Sequence, residues 1–403
     1  MFDFTDLPFY DNHTHNMDMS KTDYTTRELT INYLHGFRDV LPAREEEPFK
    51  GFLPYGNIDF DVHGFIARSK ASDDLACTAA NLGVNKVMVN YLSVKFGCPP
   101  TLEAVNEARN KELVRLGPLN YARSLYKDQN ITGCTVDLDW PIGDPRLEQF
   151  PGAIQRLFRM DPLFDRLLLS CETWASLKAE YEKELRAAFR EGFVGVKCHV
   201  GERFTLAIKL ISDKTAEAVF PSAVNGDPEA LADVYFAVVA DTMRICRQED
   251  IPIHIHTGST GGPEDLHNCD PRLMTPFLSN REFLNTKVVF LHANHPNVGE
   301  AALMAHTFPH VWLDISWSLP WIALDFPRIM RSALGLAPHN KIMLGTGQHG
   351  IPEMVWVASK VAKRSLEIVM GEYVREGLLS REQALETAEQ VLYKNAYRMY
   401  GLK

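Results

Sequence analysis

The first apolar stretch, Leu7-Pro8-Phe9-Tyr10-Asp11, runs into the polar Asn12-His13-Thr14-His15. It predicts a short strand whose end carries chemistry-bearing side chains. Between 17 and 70 no clean hydrophobic period emerges. The segment is charged and turn-rich, with Arg44-Glu45-Glu46-Glu47-Pro48 and Pro54-Tyr55-Gly56. Helical stretches follow near 72–82 and 102–127, the second dense in helix formers such as Leu102, Glu103, Ala104, Glu107, Ala108 and Arg109. Residues 16–128 therefore read as a mostly helical excursion after the first strand.

Past that point short apolar runs alternate with helical segments. Strands are predicted at 131–138, 166–170, 195–200, 251–256, 288–292, 311–315 and 341–345. Helices are predicted near 175–191, 228–248, 271–279, 297–307, 323–335 and 353–376. In the first of these, Leu177, Tyr181, Leu185 and Phe189 recur on one face. Serial β-α units imply a parallel sheet, and eight strands is the number that closes a TIM-type barrel. A doubly wound open sheet is the alternative, weakened by the lack of a G-x-G-x-x-G after any strand. The expected architecture is thus α/β, a (β/α)8 TIM barrel over residues 1–403, with 16–128 as a helical insertion subdomain.

Composition narrows the function. Of 403 residues, 45% are hydrophobic and 23% charged, which excludes a disordered chain, a collagen and a coiled coil. The formal net charge is −10 and no Lys/Arg-rich run exists, so nucleic acid is not an expected partner. No run approaches the ~18 apolar residues of a membrane-spanning helix, so no membrane partner is expected. The N-terminal Met-Phe-Asp-Phe-Thr-Asp resembles neither a secretory nor a transit peptide. Seven irregularly spaced cysteines without a C-x-x-C fit reduced thiols. Together these imply a cytoplasmic enzyme acting on a small molecule. A homo-oligomer is compatible with this, two-fold symmetry being the default.

The 14 histidines sharpen the picture by their places. In a TIM barrel, chemistry sits at the C-terminal strand ends. The first strand ends in His13-Thr14-His15, the fourth in Lys197-Cys198-His199, and the fifth in His254-Ile255-His256. The sixth ends in His292-Ala293-Asn294-His295 and the eighth in Gly345-Thr346-Gly347-Gln348-His349. Period-2 geometry points His13 and His15 to one side of a strand. A histidine alone at one such place is ordinary. Several strand ends converging on one mouth suggest a metal site, with a non-metal polar cluster as the alternative.

These residues resemble the amidohydrolase superfamily, and most closely its amidohydrolase-related branch. That branch includes domains fused to glutamine-synthetase-like proteins, and decarboxylases of the γ-resorcylate type. The motifs that carry the resemblance are Asp11-Asn12-His13-Thr14-His15, Gly192-Phe193-Val194-Gly195-Val196-Lys197, His256-Thr257-Gly258, Leu291-His292-Ala293, Trp312-Leu313-Asp314-Ile315-Ser316, and Leu344-Gly345-Thr346 followed by His349-Gly350-Ile351-Pro352-Glu353. The resemblance implies His13, His15 and His256 as metal ligands, and His292 as a further ligand or a substrate-polarising group. It places Lys197 where some members carry a carboxylated lysine. In this branch that lysine is often a substrate contact or an internal ion pair instead. The family pattern has an Asp at the end of the eighth strand that binds metal and shuttles a proton. Here the aligned residue is Gly347. Gln348 or His349 is then a candidate replacement, Asp314 or Glu353 is a candidate base, or the catalytic function has been lost.

The resulting expectation is a metal-dependent hydrolase that attacks a C–N, ester or lactone bond with metal-activated water. The metal is Zn²⁺ by ligand type, with Mn²⁺ as the alternative. His292 would stabilise the oxyanion, His349 would be the first candidate base, and Lys197 and Asp314 complete the catalytic set. Arg203, in Gly201-Glu202-Arg203-Phe204, would fork a substrate carboxylate or form a surface ion pair, and Gln348 would contact substrate. A decarboxylase or isomerase on the same barrel is the alternative, as is a catalytically impaired binding module. Trp312, Trp317 and Trp321 gather around the seventh strand, either lining the mouth or packing beneath a helix. The loop 257–268 reads as a lid or a plain connection, and 201–227 as a long loop.

Overall fold

Eight parallel strands, β1 (Phe9–Thr14), β2 (Ile131–Val136), β3 (Ala153–Arg159), β4 (Phe193–Cys198), β5 (Ile253–His256), β6 (Val288–Leu291), β7 (Val311–Ile315) and β8 (Ile342–Leu344), follow one another in sequence order around a single sheet. The computed structural model describes residues 2–15, 22–31, 72–138, 140–141, 143–259, 265–348 and 350–403. Each strand pairs in parallel with the next. Main-chain bonds bring the last strand's end back to the first. Gly347 N donates to His13 O at 2.6 Å, and His15 N donates to Gln348 O at 3.0 Å. Asp11 adds side-chain bonds across the same seam, accepting from Thr346 N and Thr346 Oγ1, both at 2.7 Å. The expected (β/α)8 TIM barrel is the observed fold.

Alternation along the strands feeds separate cores, two of which carry most of the barrel. Val196, Cys198, Ile253, Ile255, Val288, Phe290, Val311, Leu313 and Ile315 are buried together with the apolar faces of the surrounding helices. The other strand faces contribute Tyr10, Val289, Leu291 and Met343 to a second cluster with Ala396 and Met399 of the C-terminal segment. That segment closes the barrel's lower end. Tyr400, on the helix Asn395–Tyr400, donates to Asn12 Oδ1 at 2.8 Å.

The third strand differs from expectation. Residues 166–170 are the end of a helix, Met160–Ser170, and the strand is Ala153–Arg159. The helix buries Leu163, Phe164, Leu167 and Leu168 while Leu169 is exposed, which is a helical period. A short apolar run within a helix cannot be told from a buried strand by periodicity alone. The true strand was disguised by buried arginines. Arg156 donates to Trp140 O at 2.8 Å and Glu191 O at 2.6 Å, and Arg159 donates to Asp137.

Smaller differences follow from turn chemistry. The stretch 102–127 is two helices, Leu102–Leu116 and Pro118–Asp128, divided at Gly117 with φ +74° and a proline at the next N-terminus. A further helix, Gly83–Phe96, was not anticipated. The segment 201–227 contains the helix Asp213–Val224 rather than loop alone. Within 16–128, the described residues form the helices Thr26–Ile31, Ser72–Ala80, Gly83–Phe96, Leu102–Leu116 and Pro118–Asp128.

One buried ion pair joins these helices to the β8 side of the barrel. Arg109 and Glu353, both essentially inaccessible, are bonded through Arg109 Nε. Tyr121 OH also donates to Glu353 Oε1 at 2.7 Å. Removing one partner of a buried pair strands the other charge. Glu353→Ala is therefore expected to lower unfolding free energy by about 3–5 kcal/mol, and the double Arg109→Met, Glu353→Met variant to recover most of that loss. Urea denaturation checks this; a single-variant loss below about 1 kcal/mol would show the pair to be dispensable.

Candidate metal centre at the barrel mouth

The end of β1 is shaped by a bulge. Asp11 lies opposite Cys134 and Thr14 opposite Val136, so β1 carries one extra residue over that stretch. The bulge breaks simple alternation. Asn12 donates to Asp314 Oδ2 at 2.6 Å, while the next residue, His13, joins a row of imidazoles. Its ring centre is 4.9 Å from that of His15 and 5.3 Å from that of His292, and the His292 ring is 4.7 Å from that of His256.

A carboxylate that sequence reasoning did not single out completes the β1 side. Ligand atoms of His13, His15 and Asp137 lie within 4.8 Å of one another, all three residues buried. Asp137 directly follows β2. Burial pushes its carboxyl up, but Arg159, Lys197 and His15 outweigh burial and hold it far below the usual range. Arg159 Nε donates to Asp137 Oδ1 at 2.8 Å, and its terminal nitrogen donates to the Asp137 carbonyl at 2.9 Å. Asp137 is therefore a fixed anion.

On the other side, His292 is held through one nitrogen and His256 has a carboxylate beside it. His256 Nδ1 lies 3.2 Å from Glu202 Oε2, and its buried Nε2 has no hydrogen-bond partner. His292 Nδ1 lies 2.8 Å from Ser316 Oγ. Burial, with Lys197 nearby, depresses both imidazoles well below their ordinary pKa, so both are neutral. His292, Ala293 and Asn294 all occupy left-handed backbone, at φ +65°, +44° and +56°. Thr257 anchors this unusual run, donating to Leu291 O at 2.7 Å and accepting from Asn294 N at 2.9 Å. Such strain persists where the surrounding structure over-determines it, typically at functional sites.

Lys197 is buried on β4, opposite Arg159 on one side and His254 on the other. Burial lowers its pKa against the opposing pull of Asp137 and Glu202. His254 is pushed down to about 3 by burial and by Lys197. Asp314, fully buried on β7, is raised to about 6 by burial, with the Ser316 and Asn12 side chains opposing.

The remaining predicted residues divide. Arg203 is not brought to the histidine row: its fork engages Asp165 at 3.0 and 2.5 Å. The Gln348 side-chain amide donates to Thr346 O at 2.8 Å, while its main-chain carbonyl accepts from His15 N. Glu353 is engaged by Arg109 and Tyr121. His349 lies outside the described residues. Gly347 has φ +60°, and a Cβ there would fall 2.6 Å from Trp317 N and 2.9 Å from Trp317 Cα. An aspartate cannot take that place in this backbone. Asp137, Arg159, Glu202 and Ser316 were missed in sequence. Asp137 and Ser316 each stand immediately past a strand, so a search of strand ends for oxygen ligands as well as histidines would have found them.

Placing an aspartate there by Gly347→Asp is thus expected to destabilise the chain by at least about 1–3 kcal/mol, the cost of a strained backbone position, without raising activity. Urea unfolding and an activity assay check this. An unchanged midpoint with higher activity would contradict the geometry.

A family model described as amidohydrolase matches residues 176–402. Protein fluG of Emericella nidulans is 29% identical over 156 residues, spanning 38% of this chain and only 18% of that protein's length. Among solved structures, a Lactobacillus casei protein described as a metal-dependent hydrolase superposes with a TM-score of 0.76 at 18% identity, covering 100% of this chain and 98% of its own. A uronate isomerase from Thermotoga maritima gives 0.67 at 14% identity, with 98% and 95% coverage. A glucuronate isomerase from Caulobacter crescentus gives 0.66 at 16% identity, with 98% and 92% coverage. These likenesses agree on the barrel. The matched family model spans more than half of the chain and includes Lys197, His256, His292 and Asp314, so the chain belongs to the amidohydrolase family.

Proposed function

We propose that this protein is a divalent-metal-dependent hydrolase that cleaves a C–N, ester or lactone bond of a small, carboxylate-bearing molecule. The observation that carries the reading is the convergence of ligand atoms from His13, His15 and Asp137 within 4.8 Å, beside imidazoles kept neutral by burial. Two imidazoles and a carboxylate suit Zn²⁺, with Mn²⁺ as the alternative. The buried Nε2 of His256 supports the fit, because a lone pair there has no protein partner. His13, His15 and Asp137 would hold the ion and His256 would complete the set. When bound, such an ion supplies Lewis acidity, lowering the pKa of water and polarising a carbonyl oxygen.

The chain's own residues supply the rest. Glu202, whose Oε2 lies 3.2 Å from His256 Nδ1, would orient that imidazole in the metal-bound site, the role of a carboxylate behind a metal-binding histidine. Ser316 fixes the His292 ring, which faces developing negative charge on the substrate oxygen. Asp137 is held too firmly ionised to act as a base. Asp314, shifted upward to about 6, is a carboxyl suited to accept a proton near neutral pH.

Gly347 favours a second reading. Without an acid at the end of β8, the barrel lacks its family's usual water activator, as an isomerase or decarboxylase working on the substrate's own carbons could tolerate. The test is a panel of esters, lactones, amides, sugar acids and aromatic acids, assayed on chelator-stripped protein with and without Zn²⁺ or Mn²⁺. Run in heavy-oxygen water and in deuterium oxide, it separates hydrolysis (label in the product acid) from isomerisation (deuterium on carbon) and decarboxylation (carbon dioxide release). Metal-dependent hydrolysis, lost in His13→Ala and Asp137→Ala, is the expected result. Absence of turnover on every member would favour a binding module. Glu202→Gln is expected to weaken metal affinity by about 10–100-fold in chelator competition; unchanged affinity would remove Glu202 from this role.

A further inference from the structure

The mouth carries a second group of polar atoms that the histidine row does not use. Ser316 holds His292, and the chain then turns through Trp317 and Ser318. Trp317 stands at φ +52°, its main chain packed against Gly347, whose amide donates to His13 O. These residues are therefore one step removed from both arms of the histidine row. From the β6 side, the His295 ring comes to 5.6 Å from that of Trp317. Trp321 stacks on Trp317 at 5.9 Å with 23° between ring planes. Trp312, by contrast, belongs to the cluster at the other end of the barrel, with Arg398 over its ring.

Trp317 Nε1, Trp321 Nε1, Ser318 Oγ and His295 Nδ1 are all buried, and none has a hydrogen-bond partner. Ser318 as a whole is fully buried. Native structures leave few buried polar groups unsatisfied, and several on one turn and its neighbour call for an explanation. An indole N–H can only donate, so the group calls for an acceptor. Arg328 adds positive potential on the same side, acting with burial to keep His295 neutral. A carboxylate meets these demands: two oxygens with lone pairs to spare, and a charge suited to that potential. Arg203, the residue first expected to hold a carboxylate, has its fork engaged by Asp165.

We propose that Trp317, Trp321, Ser318 and His295 form the subsite that receives the substrate's carboxylate, so that the enzyme acts on a small organic acid. The proposal rests on the barrel mouth being the site of a small-molecule enzyme, but its test needs neither turnover nor metal. Chelator-treated protein with nitrogen-labelled tryptophan is titrated with acetate, benzoate and glucuronate, and in parallel with acetamide, benzamide and glucose. The indole N–H resonances of Trp317 and Trp321 are assigned from the Trp317→Phe and Trp321→Phe variants. The acids are expected to shift both resonances and the uncharged counterparts to leave them in place. Ser318→Ala is expected to weaken the best-binding acid by about tenfold. If no acid moves either resonance, or the uncharged counterparts move them equally, the subsite is wrong. Because the readout is binding to metal-free protein, failure of metal-dependent turnover leaves it intact, and the two readings fail separately.

Discussion

Burial of several imidazoles at one end of a barrel is the constraint on which the rest of this structure depends. Desolvation removes their protons and leaves lone pairs that must be directed. Ser316 holds one nitrogen of His292, and the Glu202 carboxylate lies 3.2 Å from Nδ1 of His256. Only one acidic ligand candidate, Asp137, adjoins His13 and His15 among the described residues, and it is kept anionic by Arg159 and Lys197. The sheet supplies the stiffness. Lys197 is registered between Arg159 and His254, and His256 beside Leu291, so these side chains take their positions from backbone pairing rather than from mobile loops.

The seam between β1 and β8 shows how this family member departs from the common pattern. The barrel is drawn together there by the Gly347–His13 and His15–Gln348 main-chain bonds and by Asp11 on Thr346. Such close approach leaves Gly347 in left-handed backbone against Trp317. The glycine is thus not a simple deletion of an acid from an otherwise unchanged site. It accompanies a different arrangement in which the β7 turn occupies that space and brings its own polar atoms to the mouth.

Much of this was legible in the chain. Seven of the eight strands follow from short apolar runs, and the histidines at their ends pointed to the mouth. The third strand did not, because Arg156 and Arg159 make it look unlike a buried strand, and only their tertiary partners Trp140, Glu191 and Asp137 explain why they are there. For the same reason Asp137 was passed over: a lone aspartate after a strand carries no pattern until His13 and His15 are seen beside it. The bulge in β1 was equally invisible, since Asp11-Asn12-His13-Thr14-His15 is polar throughout and has no apolar alternation for an extra residue to break. Nor could spacing reveal that Arg203 is engaged by Asp165, or that Trp312 parts company with Trp317 and Trp321.

The central claim is that His13, His15 and Asp137 bind a divalent cation. Anomalous X-ray diffraction at the zinc absorption edge, from crystals of the zinc-loaded protein, tests it most directly. The account predicts a peak in contact with the imidazoles of His13 and His15 and the carboxylate of Asp137. No peak at the barrel mouth, or one ligated only by other residues, would contradict it.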